Sequence, residues 1–154
     1  MKMKTNLTLL FLTGFVMFNS VRSVMFKDCG SKGSKVKDVE VSNCKTGPCL
    51  LPRGTNATFK VSFTSGSAEA ATTKLTSVVH GILAGIPVPF PLKDPDGCKG
   101  KGLECPLKNN KDYTFVSSIP VLKSYPQVKL VVKWELQDSN KNDVFCIELP
   151  VQLT

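Results

Sequence analysis

The residues that could do chemistry in this chain are few, and their spacing is poor for it. His80 is the only histidine, so any serine triad would have to be built around it. Beside Gly81 in an apolar stretch, it reads as a structural, hydrogen-bonded residue, with pH sensing as the lesser alternative. No G-x-S-x-G elbow, H-E-x-x-H helix or phosphate-binding glycine loop occurs, and no motif singles out a pair of carboxylates. The six cysteines (Cys29, Cys44, Cys49, Cys98, Cys105 and Cys146) would suit zinc in a reducing compartment with more histidine to share the site. In a chain that follows a secretory route they make a disulfide framework instead. Spacing alone does not choose among the pairings. Cys44 with Cys49 and Cys98 with Cys105 suit short loop staples, which leaves Cys29 and Cys146 to tie the ends.

The secretory route is itself read from residues. Lys2 and Lys4 precede a mostly apolar run over 7–18, and the small residues Ser20 and Ser23 follow. That order defines a signal peptide, expected over 1–23 with cleavage after Ser23, Ser20 being the alternative. The run is shorter than the roughly 20 residues that a membrane-spanning helix needs. A single domain over 24–154 is expected. Loss of Lys2, Lys4 and Arg22 with the leader takes the formal charge from +8 to +5. Arg53 is the one arginine that remains, so the basic excess is dispersed lysine, a poor match to nucleic acid. Lysines close to an anionic membrane would each contribute about 1 kcal/mol, although most read as solvated surface.

The elements that must position any site are strands. Short alternating or β-rich runs over 36–41, 58–63, 75–86, 113–119, 128–136 and 145–153 are separated by Gly, Pro, Asn and Asp. Phe59, Val61 and Phe63 share one face of their run, and Leu130, Val132, Trp134 and Leu136 share one face of theirs. Period-two patterning without a helical stripe predicts an all-β sandwich. The turns expected are DPDG (94–97) and DSNKND (138–143), and 66–73 is expected to be loop. The run GILAGIPVPFP (81–91) is apolar, yet carries Pro87, Pro89 and Pro91 at alternate positions. Proline costs about 3 kcal/mol in a helix and cannot donate to a central ladder. The reading is a strand through Ile86 that turns into a stiff apolar edge, which suits covering a greasy ligand. The sequon Asn56-Ala57-Thr58 opens a strand where a glycan would be exposed; Asn6-Leu7-Thr8 falls in the leader.

Seven blocks then carry a resemblance: FKDCG (26–30), the Cys44/Cys49 pair, VVHGILAGIPVPFP (78–91), DPDGC (94–98), IPV with YP (119–126), KLVVKWELQD (129–138) and FCIELPVQL (145–153). In order, and with all six cysteines placed, they closely resemble the Niemann–Pick C type 2 proteins, soluble sterol carriers of the ML (lipid-recognition) superfamily. The resemblance implies an immunoglobulin-like β-sandwich of two antiparallel sheets with a lipid cavity between them. It also implies the pairings Cys29–Cys146, Cys44–Cys49 and Cys98–Cys105.

In sterol-binding members the cavity mouth corresponds to Phe90, Val121 and Tyr125, with Pro120 beside them, and Trp134 matches a tryptophan near the pocket. One departure is Ile147, where vertebrate carriers have tryptophan directly after the last cysteine. If it faces the cavity, the wall is less aromatic and roomier, and fatty acids or other apolar signals join sterols as expected ligands. The resemblance further implies hand-off to a membrane-bound transporter, in the lysosome lumen or outside the cell. A monomer without cofactor or metal is expected. An innate-immune lipid co-receptor module and an enzyme are the alternatives of other classes.

Overall fold

The computed structural model describes residues 23–66 and 73–154. All of the expected leader but Ser23, and most of the expected 66–73 loop, lie outside these residues. Among the described residues nine strands follow in chain order: β1 (Lys27–Asp28), β2 (Lys35–Val41), β3 (Cys49–Leu51), β4 (Thr55–Thr64), β5 (Thr76–Leu83), β6 (Ile86–Phe90), β7 (Asp112–Val121), β8 (Lys129–Gln137) and β9 (Asp143–Leu153). They form an immunoglobulin-like sandwich. One sheet runs β1-β9-β8-β5-β6, with β3 also pairing β9, and the other runs β2-β4-β7. Every pairing is antiparallel except β3 on β9, which is parallel over three residues.

Alternation decides which side chains meet between the sheets. Phe59, Phe63, Phe115, Trp134 and Phe145 are all fully buried, each contributing on the order of 1.5–3 kcal/mol by leaving water. Their rings touch in sequence. Trp134 lies 5.2 Å from Phe59 and 5.9 Å from Phe115, and Phe145 lies 5.5 Å from Phe115 and 5.6 Å from Phe63. This aromatic chain makes one end of the sandwich solid. The turns there are polar: Asp138 accepts from the backbone N–H groups of Asn140 and Asn142 at 2.8 and 2.9 Å. Asp96 likewise accepts from Cys98 N at 2.8 Å.

One expected strand is two. The run over 75–86 does not continue through Ile86; it reverses at Ala84 and Gly85, with φ of 48° and 80°. Two consecutive positive φ values make a two-residue turn whose twist matches the flanking strands. The proline segment therefore folds back onto β5 as the edge strand β6. Leu83, Gly81 and Val79 pair with Ile86, Val88 and Phe90 as the hydrogen-bonded partners that such a turn sets up. Pro87 and Pro89 fall between them, where a backbone nitrogen would face away from β5. The prolines thus cost the ladder nothing.

Three disulfides join Cys29 to Cys146, Cys44 to Cys49 and Cys98 to Cys105. The first fastens the segment after β1 to β9, where Cys29 N also donates to Cys146 O at 2.9 Å.

Candidate ligand cavity

At the end opposite the aromatic chain the sheets part around a cavity of about 360 Å³. Its floor comes from alternate residues of adjacent strands: Val79 and Gly81 of β5, Leu130 and Val132 of β8, and Val151 of β9. Ile119 and Val121 of β7 face them from the other sheet. Gly81 leaves room that a side chain would fill, since a Cβ there would lie 3.4 Å from Leu130 Cδ1. Phe90 at the end of β6, and Pro120, Val121 and Tyr125 at and after the end of β7, also line the cavity. The Phe90 and Tyr125 rings meet.

Among the described residues nineteen line this space, and of these only His80 and Tyr125 have polar side chains. His80 pairs with Lys133 and Pro89, so its side chain stands on the outer face of the sheet while its backbone touches the cavity. That leaves Tyr125 as the lining residue whose side chain carries a polar group on the cavity side of the sheets. Among the described residues, neither a carboxylate nor a lysine lines the cavity. Its chemistry is exclusion of water from an apolar guest.

Trp134 and Ile147 are placed elsewhere. They pair with each other across β8 and β9 and are fully buried, facing inward beside the aromatic chain. Neither lines the cavity. Val79 and Val132, which do, are their neighbours on the cavity side. Asn56 is exposed on the outer face of β4, opposite Pro120 in the register.

On the outer face of the larger sheet, Glu135 is buried beneath its neighbours, 8% exposed. His80 Nδ1 lies 3.8 Å from one of its oxygens and Lys133 Nζ 3.5 Å from the other. Burial, and then the Glu135 charge, push the Asp143 carboxyl up to about 6. The acidic oxygens of Glu135 and Asp143 lie within 4.8 Å of each other and of Cys146 Sγ. That sulfur is held in a disulfide, and the Lys133 ammonium lies against Glu135.

Sequence reasoning gave no part in the site to Gly81, although it sits inside a block read for its histidine, its prolines and its resemblance. Arg53, in the turn between β3 and β4, carried no signal beyond being the lone arginine of the expected mature chain.

Comparison with known proteins agrees with this geometry. The ML-domain family model matches residues 23–153. The chain is 46% identical over 143 residues to the NPC intracellular cholesterol transporter 2 of Mus musculus, covering 93% of each. It is 45% identical over 130 residues to the NPC intracellular cholesterol transporter 2 homolog a of Drosophila melanogaster, covering 83% of this chain and 86% of the other. Among solved structures, the Niemann–Pick type C2 protein from Japanese carpenter ant superposes with a TM-score of 0.76 at 29% identity, covering 84% of this chain and 99% of that one.

Proposed function

The chain belongs to the ML-domain family, and from that premise we propose that it is a lipid carrier. It holds a sterol or a similar apolar molecule between its two sheets and passes it on without making or breaking a bond. The observation that carries this reading is a cavity of about 360 Å³ whose lining, among the described residues, is apolar but for His80 and Tyr125. Small-molecule sites span roughly 300–1,000 Å³. The cholesterol-transporter names of relatives at 45–46% identity support a sterol as the guest.

Phe90, Pro120, Val121 and Tyr125 form the mouth and grip the ligand. Trp134 and Ile147 set how deep it can go, from behind the cavity floor. A sterol of about 28 heavy atoms, at roughly −0.3 kcal/mol per atom, gains about −8 kcal/mol, a dissociation constant of micromolar order. That strength suits a carrier that must release its cargo. Ile86, Val88 and Leu122, all exposed, rim the same end and support transient contact with an anionic membrane or a membrane-bound acceptor. The route is secretory, with an extracellular or lysosomal destination. A glycan at Asn56 fits its exposure, and no catalytic step is part of the reading.

The test is to extract and identify the lipids that co-purify with the secreted protein, then compete them with a fluorescent sterol. Sterol recovered and displaced supports the reading. Fatty acids recovered, with sterol failing to compete, keep the cavity but change the cargo. No apolar ligand at all overturns the reading and moves a receptor-module role to the front.

A further inference from the structure

We infer that Arg53 is the positioning residue that holds the mouth of the cavity in shape, acting through Tyr125. Tyr125 belongs to the segment between β7 and β8, which leaves the sandwich at Leu122 and rejoins it at Lys129. It lines the cavity, and its ring supplies half of the aromatic contact with Phe90. A strand register fixes Phe90, but no ladder fixes Tyr125. Within the segment, Tyr125 N donates to Leu122 O at 3.1 Å, which shapes the turn without attaching it to anything.

Beyond the packing of the Tyr125 ring, the hydrogen-bonded attachment comes from one side chain. Arg53 Nη1 donates to Tyr125 O at 3.0 Å and to Lys123 O at 3.3 Å, and Nε donates to Thr154 O at 3.4 Å. Among the described residues, no other hydrogen bond ties residues 123–127 to a distant part of the chain. The Arg53 backbone is itself anchored, its N–H donating to Thr154 O at 2.9 Å. Beside it, Gly54 has φ +83°, and a Cβ there would stand 2.8 Å from Lys123 Cε, so the turn lies flush against the segment it grips. The guanidinium is a planar fork that can serve several carbonyls at once, whereas a lysine ammonium is a point donor on a flexible stem. Arg53 therefore sets how readily the Tyr125 ring swings clear of Phe90, and so the rates of ligand uptake and release more than their ratio.

The inference rests on the carrier reading for its consequence, and on the hydrogen bonds alone for its structural part. The experiment measures both on the full secreted chain. Hydrogen exchange of the Tyr125 amide in the ligand-free protein should speed up about tenfold in Arg53→Ala, the amides beside Phe59 and Trp134 staying unchanged. Release of a bound fluorescent sterol (dehydroergosterol) should accelerate about tenfold, with the dissociation constant changing less than threefold because uptake accelerates too. Arg53→Lys should recover little of either, which separates fork geometry from net charge. In a Tyr125→Ala background, Arg53→Ala should add nothing further.

Unchanged exchange at Tyr125 in Arg53→Ala overturns the inference, whether or not sterol binds. Unchanged release in a protein that does load sterol overturns its consequence for the mouth, as does full recovery by Arg53→Lys. A wild-type protein that loads no sterol defeats the carrier reading instead, and the exchange result then decides the clamp by itself.

Discussion

Phe90 and Tyr125 meet edge to face, their ring centroids 6.1 Å apart and their planes at 77°. Phe90 belongs to an edge strand and Tyr125 to a connecting segment, so the contact joins parts of the molecule that no ladder joins. Such a pair is worth about 0.5–1.5 kcal/mol beyond the area it covers. That is about one to three times the thermal energy, a contact weak enough to break and re-form while the sandwich stays folded.

Removing either ring should loosen the grip on a ligand without unfolding the protein, because both residues are only partly buried. For Phe90→Ala and Tyr125→Ala we expect sterol affinity to fall about tenfold or more, with the melting temperature lowered by only a few degrees. Equilibrium titration with a fluorescent sterol, run beside a thermal melt, checks both halves. Val121 behaves differently. It is 3% exposed, so its truncation costs stability and binding together.

Gly81 offers a substitution whose two effects have opposite signs. A methyl group there would enter the cavity in ordinary contact with Leu130. Alanine is also the less flexible residue in the unfolded chain, which favours folding by roughly 0.4–1 kcal/mol. Gly81→Ala should therefore melt slightly higher and bind sterol more weakly. A variant that binds as well as the parent would show that ligands do not reach the β5 floor.

The Asp143 carboxyl gives a pH dependence of definite sign. Its pKa is raised from 3.8 to about 6 by burial and by Glu135, against weaker help to the charged form from Gln137 and Lys133. The folded state therefore binds a proton that the unfolded state has lost between those values. This contribution to stability is complete below about pH 4 and disappears as pH rises through 6. Denaturant unfolding at a series of pH values should show that decline, and Asp143→Asn should abolish it. Asp112, held below the usual carboxylate value by its bonds to Lys37 and Thr64, slopes the other way, but only at more acid pH.

The disulfides should differ in weight according to the loops they close. Cys29 and Cys146 are 117 residues apart, Cys44 and Cys49 only 5. On the chain-entropy account the long loop is worth about 5 kcal/mol and the short one about 2. Paired cysteine-to-alanine variants, compared by urea unfolding, should keep that order.

The sequence made the strands legible because alternation survives folding directly. Phe59, Val61 and Phe63 share a face in the text and in the core alike. What it hid were features without a pattern. Ala84-Gly85 lies inside an apolar run, so the reversal that creates β6 did not look like a turn. The short strands β1 and β3 are too brief to show alternation. Alternation also tells which way Trp134 and Ile147 point, but not how far along the sandwich the open space extends. Arg53 acts on backbone carbonyls, which no residue type advertises.

The alternate prolines of β6 bear on the company this protein keeps. The outward side of that strand offers the carbonyls of Pro87 and Pro89 and no N–H to answer them, so a second chain laid alongside would find acceptors without donors. Ile86 and Val88 can then stay greasy and uncovered at high concentration without seeding fibrils. Pro89→Val, which restores a donor to the outward side, should turn a well-behaved solution into an aggregating one.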